Sequence, residues 1–162
     1  MRPTPDRVRE TLFNWLGQDL TNRRTLDLYC GTGALSLEAL SRGAGLAVAV
    51  DRNPTLIRSV EAIGASFGAA GLETHVADAE AFLSSETRAF DVVFLDPPFG
   101  SDPWPWLLPR SMGRLARGGF VYVEADHKLS PPAGAMTWRH ARAGQVHYHL
   151  MQAEGSSAAL ME

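Results

Sequence analysis

This chain has a single cysteine, a single lysine, and no apolar run near the length a membrane helix needs. Cys30 alone cannot close an internal disulfide, so a reducing compartment is expected. Met1 leads straight into Arg2-Pro3-Thr4-Pro5 without an apolar segment that could serve as a leader, and a cytoplasmic location follows as the expectation. An excess of positive charge is also lacking. The formal net charge is −3, which argues against a protein that coats nucleic acid non-specifically, although it leaves room for a local basic patch. What is present is the composition of an ordinary globular domain, 45% hydrophobic and 20% charged over 162 residues. One domain over 1–152 is expected, with a tail at 153–162 that frays.

Strand and helix patterns alternate along the chain. Thr4-Pro5-Asp6 has the form of a helix start, and Val8, Leu12, Trp15 and Leu16 place one apolar stripe on the helix that ends at Gly17. Strands are predicted at 25–30, 46–51, 73–78, 90–96 and 118–126, helices at 34–43, 54–67, 79–85 and within 104–116, and a closing hairpin from 137–144 and 145–152. Such alternation implies an α/β fold: a mostly parallel sheet with helices on both faces, and a ligand site beyond the carboxyl ends of the strands.

Two features there point to a cofactor. "DLYCGTGALS" (27–36) sets Gly31 and Gly33 between a strand and a helix, where a ligand can approach the backbone. Asp51 ends the next strand, placed to accept hydrogen bonds from two ribose hydroxyls. Either feature alone is commonplace; in this order they suggest an adenosine-containing cofactor. A dinucleotide site wants a third glycine where Ser36 stands, and Asp27 would repel a pyrophosphate but attract a sulfonium or an ammonium. S-adenosylmethionine is therefore favoured, with Asp78 and Ala79 beside the adenine. Asp78 is alternatively a simple N-cap.

"FDVVFLDPPF" (90–99) ends an apolar strand on a carboxylate followed by two prolines and an aromatic. The exocyclic amine of a nucleobase is a poor nucleophile, because its lone pair is delocalised into the ring. If Asp96 and the Pro97 carbonyl accept its two protons, that pair turns towards a methyl donor. Pro97 and Pro98 fix the carbonyl's direction, and Phe99 can stack on the base.

Taken together, "RPTPDRVRETLFNWL" (2–16), "DLYCGTGALSLEALSRGA" (27–44) and "FDVVFLDPPF" (90–99) resemble the RsmD-type guanine-N2 methyltransferases of 16S ribosomal RNA. The resemblance implies a class I S-adenosylmethionine-dependent (Rossmann-like) fold with a seven-stranded sheet. It places Asp27, Cys30, Gly31 and Gly33 at the methionine end of the cofactor, Asp51 and Arg52 at the ribose, Asp78 and Ala79 at the adenine, and Asp96, Pro97, Pro98 and Phe99 at the target base. The substrate implied is 16S RNA or a 30S assembly intermediate, and the enzyme a monomer without metal. Relatives of this kind usually carry some twenty or more residues, including a basic stretch, ahead of the block that starts at Arg2. RNA affinity is then expected either in such a segment outside this sequence or elsewhere on the chain. Cys30, Thr32 and Ser36 replace the commoner alanine, serine and glycine, all small enough to leave cofactor binding intact. Two readings stay open beside this one: N6-adenine methylation of DNA or RNA, and a cofactor-binding assembly module without turnover.

The 2–17 helix is expected to dock near the active site, where Arg2, Arg7 and Arg9 either meet phosphate or face solvent. Trp104 could stack on a nucleotide or pack the core. His147 and His149 share a strand face, but no third ligand stands near them.

Overall fold

The structure is a computed structural model and describes residues 6–155. Helix α1 (Asp6–Leu16) buries Val8, Leu12, Phe13 and Leu16 along one stripe. The expected cap at Thr4 and Pro5, and Arg2 with them, lie outside the described residues. Four βα units and a fifth strand follow: β1 (Arg24–Asp27), α2 (Ala34–Ser41), β2 (Leu46–Asp51), α3 (Pro54–Ser66), β3 (Leu72–Val76), α4 (Ala79–Ser85), β4 (Phe90–Leu95), α5 (Trp104–Met112) and β5 (Leu115–Ala125). The hairpin β6 (Ala135–Ala143) and β7 (Val146–Ala153) closes the chain, so Ala153, expected in the tail, is the last strand residue.

The strands form one sheet in the order β3-β2-β1-β4-β5-β7-β6. The first five are parallel, and β7 runs antiparallel between β5 and β6. Parallel strands covered on both faces read as nearly continuous apolar runs, as Val92-Val93-Phe94-Leu95 does. The alternation divides that run between two cores. Val93 and Leu95 pack with Phe82, Leu83, Trp104 and Leu107 under α4 and α5. Val92 and Phe94 pack with Val8, Leu12, Leu35, Phe120 and Tyr122 under α1 and α2. Helix α3 lies over β2, with Ile57 and Val60 against Ala49.

Strand β5 starts three residues before the predicted position because Leu115 already pairs with Phe90, ahead of an irregularity between Phe90 and Val92. Gly119 makes that irregularity possible: a Cβ there would lie 2.8 Å from the Asp91 carbonyl oxygen and 3.1 Å from that of Phe90. Strand β1 is shorter than predicted. Beyond Asp27 the Leu28 N–H still donates to Phe94 O (3.3 Å) and the Cys30 N–H to Val50 O (2.9 Å), but the chain is already turning.

Candidate active site

Four chain segments that leave the carboxyl ends of β1, β2, β4 and β5 meet along one rim of the sheet. The first is the glycine turn. Gly31 and Gly33 hold φ of 54° and 80°, a backbone region that side chains rarely enter, and Gly33 is the N-cap of α2. At Gly33 the expected ligand clearance has a second physical cause, because a Cβ would lie 2.8 Å from Val60 Cγ2 of α3. The missing side chain therefore lets turn and helix pack together.

Asp51 closes β2 and is 5% exposed. Its Oδ2 accepts from the Gly31 N–H (3.0 Å) and its Oδ1 from the Asn53 N–H (2.9 Å). One carboxylate thus ties the glycine turn to the start of α3, where Asn53 caps the helix by accepting from the Thr55 N–H at 2.9 Å. Arg52 beside it is exposed. Asp78 is the N-cap of α4 and accepts from the Ala81 N–H (3.4 Å), so the capping alternative is realised; its side chain is exposed, while Ala79 is buried.

Asp27 is buried at 2% exposure, with Ser36 Oγ donating to its Oδ2 at 3.4 Å. Burial pushes its carboxyl from the ordinary 3.8 up to about 7; hydrogen bonds from the Tyr29 backbone and Ser36 oppose this, and Asp51 and Glu124 reinforce it. Cys30 has its thiol pushed far up by burial and by the charges of Asp27 and Asp51, so it stays a thiol. Glu124, near the end of β5, escaped the sequence reading. It is fully buried and accepts from the Tyr122 hydroxyl (2.7 Å), whose pKa is raised by burial first, then by Glu124, and also by Asp96. A carboxylate embedded in "VYVEA" was the available signal, since an apolar strand carries a charge only where something compensates it. Asp27, Phe94 and Tyr122 are cross-strand partners or neighbours in register, and strand alternation sets Glu124 on the Tyr122 side and Asp96 on the Phe94 side. The rim thereby gathers three carboxylates on the face covered by α1.

After β4, Asp96 is half-buried, Pro97 is buried, and Pro98 and Phe99 are exposed, Phe99 to 46%. The Pro98 carbonyl accepts from the Ser101 N–H (3.3 Å) and hydroxyl (2.6 Å), a turn that presents the phenylalanine outward. Trp104 is only 8% exposed and packs with α4 and β4, so the core takes the side chain and its stacking role is withdrawn. Arg9 lines a groove together with Ala34 at the start of α2, which brings the first turns of α1 to the rim, and it pairs with Asp6 at 2.8 Å. Arg7 is exposed on the same helix.

His149 is buried with both ring nitrogens engaged. Nε2 accepts from the Leu129 N–H (3.1 Å), so Nδ1 carries the proton and donates to Val123 O (3.3 Å). Burial holds its pKa down at about 4. Among the described residues no group of three or more metal-ligating side chains is assembled, and no helix is long and apolar enough to cross a membrane.

Known proteins share this sequence pattern and fold. The family described as "Conserved hypothetical protein 95" matches residues 1–152. Ribosomal RNA small subunit methyltransferase D of Escherichia coli is 37% identical over 159 residues, which cover 95% of this chain and 80% of that protein. The solved structure of the Escherichia coli yhhF protein superposes with a TM-score of 0.83 at 33% identity, over 96% of this chain and 90% of that one. A more distant fold neighbour, the methyltransferase SMU.776 solved in complex with SAH, gives a TM-score of 0.72 at 13% identity over 90% of this chain and 48% of its own. Strand order, helix placement and these likenesses identify a class I methyltransferase fold, and the chain belongs to the conserved hypothetical protein 95 family, the RsmD-type methyltransferases.

Proposed function

We propose that this protein transfers a methyl group from S-adenosylmethionine to the exocyclic N2 amine of a guanine in 16S ribosomal RNA, acting on an assembly intermediate of the small subunit. The observation that carries the reading is the rim itself. An Asp96-Pro97-Pro98-Phe99 turn with its aromatic ring outward stands next to a buried carboxylate pair, Asp27 and Glu124.

The residues present fit the donor. Asp27, Asp51 and Glu124 crowd together in low dielectric, where each raises the cost of ionising Asp27, and a cationic ligand would relieve that repulsion. A phosphate-rich cofactor would aggravate it. Asp27 and the Gly31–Gly33 turn would hold the methionine end, Asp51 and Arg52 the ribose, and Asp78 and Ala79 the adenine. When bound, the donor supplies an electrophilic methyl group on sulfur.

The chain's own contribution is to bind, orient and exclude. The Asp96 carboxylate and the Pro97 carbonyl accept the two amino protons of the guanine, which directs the nitrogen lone pair out of the ring system. Phe99 stacks on the base and holds it out of its helix. Positive charge builds on the amine as the new bond forms, and Asp96 is placed to stabilise it or to take the proton.

The test is methyl transfer from labelled donor to 30S particles, to assembly intermediates and to naked 16S RNA, followed by nucleoside digestion. N2-methylguanosine is the expected product, with the particle preferred. N6-methyladenosine as the sole product would replace the substrate assignment, and no transfer to any of them would leave a binding module. Asp96→Ala tests the enzyme reading itself: donor affinity survives and transfer is lost, and a variant that keeps full activity contradicts the role given to Asp96.

A further inference from the structure

The segment from His127 to Ala153 contains Lys128, Arg139, Arg142 and four histidines but not one aspartate or glutamate, in a chain whose net charge is −3. The fold gathers these residues along one edge of the sheet, on both of its faces. In the sheet Leu95 of β4 pairs with Val123 of β5, Val123 with His149 of β7, and His149 with His140 of β6, so all four lie on one row. Arg142 and His147 pair two residues further towards the rim that holds Asp96. Three strand spacings of about 4.8 Å put the basic edge roughly 14 Å from the base-holding loop.

The edge is exposed as well as basic. Lys128, Arg139, His140 and Arg142 all face solvent. Arg142 and His140 lie on the α5 side of β6, with His140 Nε2 3.1 Å from His147 Nδ1. Arg139, in register with Leu150 on the α1 side of the same strand, covers the Trp138 ring at 4.2 Å, an aromatic–guanidinium pair that offers both a charge and a flat surface. Burial, His147 and Lys128 together lower the pKa of His140, as expected where cations meet without acids between them. Carboxylates flank the segment at both ends: Asp126 is paired to His127 at 2.6 Å, and Glu154 follows the last residue of β7, its N–H bonded to Gly134 O.

We propose that the β6–β7 hairpin edge is the RNA-docking surface, in which Lys128, Arg139 and Arg142 hold phosphates a few nucleotides from the guanine in the active site. The inference rests on the RNA-methylating function proposed above. It answers where RNA affinity resides on a chain of negative net charge, and it assigns that affinity to a different element from α1.

The experiment compares wild type with Arg139→Glu/Arg142→Glu and with the charge-keeping Arg139→Lys/Arg142→Lys, using Arg58→Glu on exposed α3 as a control. Donor affinity and thermal melting are expected to match wild type in all of them. For the double glutamate variant, affinity for a naked 16S fragment should fall at least tenfold. The slope of log K against log salt should shrink by about 1.4, the value for two single-strand phosphate contacts. The KM for RNA should rise with kcat nearly unchanged, and the lysine variant should keep most of the affinity. Wild-type affinity and salt slope in the double glutamate variant overturn the proposal. So does a loss confined to 30S particles, which would mark a contact with ribosomal protein. If wild-type protein binds RNA through this edge yet yields no N2-methylguanosine, the functional reading fails and the docking surface stands.

Discussion

Asp27 makes the proposed donor site measurable through protons. Its carboxyl titrates near about 7 because burial penalises the ionised form. A cationic ligand beside it favours that form, so binding expels a proton wherever Asp27 is protonated beforehand. The ionised fraction rises from roughly one tenth at about pH 6 to nine tenths at about pH 8, so donor affinity should increase about tenfold over that range, or ~1.4 kcal/mol, and level off above it. Isothermal titration near pH 7 in two buffers of different ionisation enthalpy should register release of about half a proton. Asp27→Asn should flatten the profile and weaken binding. The same substitution should change the ligand-free protein in the opposite sense. Asp27 has a folded-state pKa above its unfolded value of 3.8, so its cost is absent below that value and grows as pH rises towards about 7. Above that pH the asparagine variant should be more stable by up to the order of 4 kcal/mol, and equal to wild type near about pH 4. A donor affinity independent of pH, with no proton released, would refute the reasoning.

Asp96→Asn keeps the size of the side chain and removes its charge; kcat should fall about 100- to 1,000-fold, as when one preorganised partner of a transition state is deleted, while calorimetry shows unchanged donor affinity. Phe99→Ala should reduce kcat/KM on RNA by about 1–3 kcal/mol, the usual worth of one stacked base, with no change in melting because the ring is exposed. Arg88 grips Glu73 through both terminal nitrogens (3.1 and 2.7 Å) and Glu86 through Nε (3.0 Å) and Nη2 (2.8 Å). Arg88→Met should cost about 1 kcal/mol at neutral pH, since these side chains are partly exposed. Hydrogen bonds from Arg88 hold Glu73 and Glu86 down at about 2, so the contribution is full above about pH 4.5 and disappears as pH falls towards 2; urea melts across that range check it.

The parallel core was legible because apolar runs such as 46–51 and 90–95 have no polar face to offer solvent, which only a doubly covered sheet satisfies. The glycine turn and the acid closing β2 were legible through spacing, whereas Asp27 was expected inside a longer strand and instead ends β1. Three things were not. The insertion of β7 between β5 and β6 depends on which strand of a hairpin meets the β5 edge, and residue types do not record that choice. Trp104 and Phe99 stand five residues apart after β4 and read alike, yet α5 turns the tryptophan inward at its first residue while the Ser101 turn leaves the phenylalanine outside. Glu124 was hidden because strand patterns draw attention to apolar positions. Its burial matters through Tyr122 and Asp27, neighbours that only the register supplies.

Asp51 is fastened at both oxygens by backbone amides that belong to the two loops it separates. A ribose arriving there would meet an acceptor whose orientation was settled when the chain folded, so little rotational freedom is left to lose on association. Structures with and without the donor should then superpose closely around β1 and β2. Loosening that carboxylate, by Asp51→Glu for instance, should slacken the glycine loop and the start of α3 together, visible as faster amide exchange at Gly31 and Asn53 in the absence of any ligand.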